Sequence, residues 1–149
     1  MRLQTASGVI NFVRKLETES AAFYEALARA FPKDGDVFLS FARENRKNVV
    51  QIERAYYSVI TDAIEGCFAF DVETDRYAFD AVLPEGAAYA EALQRAADIE
   101  AKILRFYTEA AAQSGVLMAD VPRAFASVAK KREGRRAKLE ALLGAPGTT

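Results

Sequence analysis

The apolar positions of this chain fall on four long helical stripes, separated by two short turns and one long connection. From about Ser7 to Phe31, Val9, Val13, Leu16, Ser20–Ala21, Tyr24, Leu27 and Phe31 recur at steps of three and four, which gathers them on one helix face. Pro32 and Gly35 bracket a turn, and Asp36 stands where it can cap a second helix. That helix is expected from about Val37 to Ile64 along Phe38, Phe41, Val49, Ile52, Ala55–Tyr56 and Val59, with Gly66 ending it. Between 66 and 85 the period breaks. Gly66, Asp71, Asp75, Asp80 and Pro84 mark a connection of about 20 residues, longer than packed helices usually need. A third helix, about Gly86 to Ala112, follows Leu93, Ala96–Ala97, Ile103–Leu104, Tyr107 and Ala111 and stops at Ser114–Gly115. The fourth starts after Asp120, tolerates Pro122 in its first turn, follows Phe125, Val128, Leu139 and Leu142, and closes at Gly144.

Helices of about 25 residues reach nearly 40 Å at about 1.5 Å per residue. A crossover running the length of a bundle needs the reach that residues 66–85 supply. The pattern therefore predicts one all-α domain over residues 1–149, an antiparallel four-helix bundle of two helical hairpins. The hairpins span about 7–65 and about 86–143 and are joined by the crossover at about 66–85. No stretch alternates in the strand period over a useful length.

Polar residues interrupt every stripe. Glu17 lies between Val13 and Tyr24 on the first helix, and Glu100 between Ala96 and Tyr107 on the third. On the second helix the run Phe38, Phe41, Asn45, Asn48, Ile52 places two asparagines on the inward face. The fourth places two arginines there, through Phe125, Val128, Arg132, Arg135, Leu139. Counted from the turns, Glu17 lies about 16 residues back and Asn45 to Asn48 about 12 to 15 forward. Glu100 lies about 17 back and Arg132 to Arg135 about 15 to 18 forward, so in antiparallel hairpins the six share a level. They are expected to meet in one layer inside the bundle. The two glutamates also belong to a repeat, since Glu17 with Phe23–Tyr24 returns as Glu100 with Phe106–Tyr107.

Composition removes most other chemistries. The 149 residues contain no histidine and carry a formal net charge of −1, so no global field steers the protein toward nucleic acid or an anionic membrane. No apolar run approaches the roughly 18 residues of a membrane span, and the N-terminus lacks a signal-peptide core, so we expect a cytoplasmic protein. The single cysteine, Cys67, excludes an internal disulfide, and without histidine nothing activates it as a nucleophile. We read it as a small packing residue. The basic run from Lys130 to Lys138 spreads around its helix and turns two arginines inward, so it reads as a solvated face rather than a nucleic-acid patch. No phosphate loop, zinc spacing or Ser/Cys–His arrangement is present.

Leu16-Glu-Thr-Glu-Ser-Ala-Ala-Phe-Tyr-Glu-Ala-Leu-Ala28 and the repeated glutamates resemble the rubrerythrin branch of the ferritin-like di-iron proteins, over essentially the whole chain. The resemblance implies a ferritin-like bundle and an iron-dependent oxidoreductase of peroxidase or ferroxidase type, or an iron-handling protein. Pairing into a homodimer through helix faces is implied in the same way. Its di-iron site uses one Glu from each of two helices and a Glu-x-x-His pair from each of the others. Glu17 and Glu100 match the single glutamates. The Glu-x-x-His positions fall on Asn45/Asn48 and Arg132/Arg135, so four of the six ligands are gone.

Asparagine is a weak neutral ligand, and a guanidinium is cationic at every accessible pH and cannot ligate. Two carboxylates balanced by two guanidiniums, with no metal and no cofactor, is the expected arrangement. Tyr24 and Tyr107 lie beside it. We therefore expect a non-catalytic structural or interaction role, in which an ion-pair layer preserves the bundle geometry. The alternative is an iron site of unorthodox carboxylates from Glu17, Glu44, Glu100 and Glu133, with Glu19 nearby. It requires the second and fourth helices to rotate by about 100° for each residue shifted. A small anionic ligand on Arg132 and Arg135 is a third reading.

Overall fold

A computed structural model describes residues 1–59, 70–114 and 120–145. Four helices dominate it: α1 (Ala6–Ala30), α2 (Gly35–Val59), α3 (Tyr89–Gln113) and α4 (Asp120–Leu143). Local chemistry closes α1 at both ends. Thr5 holds an extended backbone before α1, and its Oγ1 accepts from Gly8 N at 3.1 Å. Phe31 N donates back to Leu27 O at 2.9 Å, after which Pro32–Asp34 form one 3₁₀ turn that runs straight into Gly35. Asp36 thus stands inside the first turn of α2 rather than capping it, where its charge still opposes the helix dipole.

The third helix starts three residues later than the periodicity predicts. Gly86 adopts φ +75°, a left-handed conformation that ends any helical run, and Ala88 is extended ahead of Tyr89. Asp120, expected as a cap, is already helical. Gly66 and Cys67, the end of α2 beyond Val59, and the stop at Gly115 lie outside the described residues.

The contacts fix the helix directions. Arg14 donates to Glu53 on α2 while Arg46 of α2 donates to Glu25, so α1 and α2 run antiparallel. Tyr24 reaches Glu100, and Tyr107 reaches Glu17, so α1 and α3 are antiparallel as well. Arg135 meets Phe41 and Glu44, and Lys131 meets Gln51, which sets α4 antiparallel to α2. It follows that α2 and α3, consecutive among the described helices, run parallel. Tyr89 opens α3 against Phe31 and Phe38 and donates to Asp34, at the α1–α2 turn. From Phe70, bonded to Gln4 O, to Tyr89 the chain therefore travels the length of the bundle.

One short strand pairing lies along that path, within the all-helical architecture the stripes predict. Arg2–Leu3 (β1) pairs antiparallel with Val72–Glu73 (β2), burying Leu3 and Val72. Two residues per strand leave no periodicity to read. Next to it, the Gln113 side chain accepts from Asp71 N at 2.7 Å and donates to Asp71 O at 2.9 Å, tying the crossover to the end of α3. A 3₁₀ turn at Thr74–Tyr77 then tucks Tyr77 against Phe106.

Val13, Leu27, Phe38, Ile52, Leu93, Ile103, Phe125, Val128 and Leu139 fill the interior, each at most 1% exposed. Their burial supplies the drive for four amphipathic helices to associate. No helix among the described residues is long and apolar enough to cross a membrane.

Candidate functional site: a buried polar layer

All six polar residues that interrupt the stripes are buried: Glu17, Asn45, Asn48, Glu100, Arg132 and Arg135 are at most 2% exposed. Each is carried inward by apolar neighbours one turn away, which fix the helix rotation. Reaching solvent would require turning those neighbours out.

Arg132 occupies the centre. Its Nη2 donates to Glu17 Oε2 at 2.6 Å and its Nη1 to Glu100 Oε1 at 2.6 Å, so one guanidinium bridges the glutamates of α1 and α3. Nη1 also reaches Ser20 Oγ at 3.2 Å. The two tyrosines of the repeat cross over. Tyr107 donates to Glu17 Oε1 at 2.5 Å and Tyr24 to Glu100 Oε1 at 2.6 Å, so each repeat's hydroxyl serves the other's carboxylate. Antiparallel helices carrying the same motif produce this exchange, because the seven-residue step from Glu to Tyr is two turns along one face.

Arg135 lies toward α2. Its Nη1 donates to Asn45 Oδ1 at 2.6 Å and to Glu100 Oε1 at 3.3 Å, and its Nη2 to Phe41 O at 3.1 Å and Glu44 Oε1 at 3.0 Å. The guanidinium carbon sits 4.8 Å from the Phe41 ring centroid and 5.3 Å from that of Tyr24. Cation–π contact of this kind is strongest where water is excluded. Asn45 Nδ2 reaches Ser20 Oγ at 3.2 Å and closes the network on α1.

The layer is balanced in charge but not complete in hydrogen bonds. Two buried carboxylates meet two buried guanidiniums, and Glu44, whose side chain is 37% exposed, joins from the rim. Among the described residues, both amide atoms of Asn48, Glu100 Oε2 and the Nε atoms of Arg132 and Arg135 have no hydrogen-bond partner. Burial pulls on Arg132 against its charge, yet Glu100 and Glu17 outweigh it and hold its pKa above the ordinary guanidinium value. Burial, reinforced by the carboxylate each one faces, pushes the Tyr24 and Tyr107 hydroxyls well above their usual 10.0. Both are neutral donors across the accessible pH range.

The alternative carboxylates do not converge. Glu44 turns to Arg135, while Glu133 is on the outer face of α4, 59% exposed and 3.9 Å from Arg136. Among the described residues, no group of three or more His, Cys, Asp and Glu side chains is placed to share a metal ion. Within the basic run, Arg132 and Arg135 are buried while Lys130, Lys131 and Lys138 are exposed. A cleft of about 260 Å³ opens between α1 and α2 against Glu17 and Asn45. Glu17 and Asn45 line it and stay 1% exposed.

Ser20 and the Phe41 carbonyl join the layer without being marked as chemistry by the sequence, and Glu44 joins it in another role than the one considered. Ser20 stood on the apolar stripe without an assigned role, and its hydroxyl there was the available signal. Glu44 entered only through the alternative carboxylate set, and its side chain accepts from Arg135. The Phe41 carbonyl carries no sequence signal at all.

The fold and this layer define a helical bundle with an internal ion-pair network. No protein-family model matches the chain, no curated protein matches it, and no solved structure matches it.

Proposed function

We propose that this chain is a rubrerythrin-like member of the ferritin-like proteins that has lost its di-iron site and serves a non-catalytic structural or interaction role. One observation carries the reading: Arg132 bridges Glu17 and Glu100 at 2.6 Å on each side. In a carboxylate-bridged centre that space belongs to the metal. Here a side chain supplied by the chain itself provides the positive charge, and Arg135 provides a second.

The donor set does not suit iron. Hard or borderline cations of this type need several carboxylates, with imidazoles completing the shell. The chain offers two buried glutamates, two amides and two permanent cations that repel an incoming ion. Helix directions support the family reading: a crossover that makes α2 and α3 parallel matches two hairpins joined across the bundle's length. The anion-binding reading has less support, because the terminal nitrogens of both guanidiniums already donate to carboxylate, amide or carbonyl oxygens.

Metal analysis of protein purified from iron-supplemented cells decides between the readings. We expect no stoichiometric iron and a melting temperature unchanged by ferrous iron. About two irons per chain, the complement of a ferritin-like di-iron site, would sink the proposal.

A further inference from the structure

The outward face of α2 carries a pattern that neither the core nor the polar layer uses. Three of the large apolar residues exposed on the molecule, Leu39 (39%), Val50 (44%) and Tyr57 (54%), lie on this one helix. At about 100° per residue they fall within about 20° of a single line. Arg43, Arg46 and Arg54 interleave with them within about 60° of that line. The stripe spans about 27 Å from Leu39 to Tyr57.

It borders a basic trough. A cleft of about 500 Å³ is lined by Arg46, Lys47, Val50, Gln51 and Arg54. It shares Gln51 and Arg54 with a second cleft of about 450 Å³, where Arg123 and Ser127 of α4 form the other wall. Among the described residues, Arg43, Lys47, Arg54 and Arg123 form no ion pair, while Arg46 pairs with Glu25 of α1. Among the described residues, Asp120 is the one carboxylate lining either cleft.

We propose that this face docks an amphipathic helix of acidic character from a partner protein, with its apolar residues on Leu39, Val50 and Tyr57 and its carboxylates on the unpaired cations. An exposed apolar line on α2 with cationic clefts along one side suits a helix laid parallel to it, read at three- and four-residue steps. Alternation of apolar and cationic positions at those steps asks for the complementary alternation, which a phosphate backbone does not have. A second copy meeting this face with the same face would set Arg43, Arg46, Lys47 and Arg54 against themselves, since a two-fold contact is self-complementary. The proposal is independent of whether the polar layer descends from a metal site.

The probe is a peptide of about three heptads with Leu at the seam positions and Glu flanking them, titrated into isotopically labelled protein and followed by backbone amide shifts. Saturable binding is expected, with shifts centred on Leu39, Val50 and Tyr57. The exposed double variant R43E/R54E should weaken it at least about tenfold at unchanged melting temperature, and a Lys-for-Glu peptide should recover binding to that variant. Val50→Ser should weaken both pairs alike. The proposal is overturned by any of four results: no binding, equal binding of a scrambled peptide, tighter binding of a single-stranded DNA of matched charge on the same face, or self-association of the protein abolished by Val50→Ser.

Discussion

Arg132 and Arg136 stand one turn apart on α4, and both pair with glutamates. Arg132 is fully buried and bridges two carboxylates at 2.6 Å. Arg136 is 40% exposed and meets Glu133 at 3.9 Å and Glu140 at 3.5 Å along its own helix. The chemistry is the same and the environment is not. Water can replace any partner of Arg136, whereas nothing replaces a partner lost from the buried layer. The comparison teaches that an ion pair matters here through the penalty for breaking it, not through its net gain. Forming the buried layer costs desolvation that consumes most of its Coulomb attraction, but removing one member strands a charge.

The sharpest way to break this contrast is Glu100→Ala. It removes the acceptor shared by Arg132, Arg135 and Tyr24 and should destabilise the fold by about 3–5 kcal/mol in denaturant titration. A wild-type melting curve would mean that the layer holds nothing in place.

The tyrosines should respond next. Tyr107→Phe deletes a hydrogen bond to a buried charge and should cost about 1.5–3 kcal/mol. It also tests the alkaline limb. In the unfolded chain both hydroxyls ionise near 10.0, while in the fold their pKa lies well above. Stability is therefore full below pH 10 and falls as pH rises through the folded values, because only the unfolded state releases protons there. Tyr24→Phe/Tyr107→Phe should flatten that fall in stability-versus-pH curves. Tyr89, raised by burial and by Asp34, keeps some of the slope. A slope as steep as wild type would remove the pair from the account.

Gly134 separates the two buried arginines and offers an effect of opposite sign. An added Cβ there meets nothing within 4 Å, so the glycine serves no close approach. Gly134→Ala should raise stability by about 1 kcal/mol in denaturant titration, from helix propensity alone. A loss would mean that the backbone between Arg132 and Arg135 needs glycine's freedom. The smallest effect belongs to Glu140→Ala, the surface counterpart of Glu100→Ala. With the side chain 61% exposed and the pair screened by solvent, the change should be about 0.5 kcal/mol or less, and less again in high salt.

Much of this layer was legible in the chain. Stripe periodicity marked Glu17, Asn45, Asn48, Glu100, Arg132 and Arg135 as inward, and counting from the turns set them level, because a helix converts sequence separation into rotation and height. The start of α3 was misread, since Gly86 looks like a helical position until its backbone angle is known. The pairing of Arg2–Leu3 with Val72–Glu73 left no trace, since its cause is proximity across about 70 residues. The pairing of Glu44 with Arg135 was illegible for a related reason: it depends on how far a side chain from a neighbouring helix reaches toward the rim.

By itself the sequence determined the four helices, the turns that separate them, and the rotation of each about its axis. Those properties follow from local rules: hydrophobic period, capping groups and breakers act over a few residues. Tertiary structure alone decided the pairing inside the layer. That one guanidinium would bridge both glutamates, that the tyrosines would cross between repeats, and that Asn48 would be buried without a partner all depend on distances between helices far apart in the chain. Such distances are set by the packing of whole faces, and no residue encodes them locally.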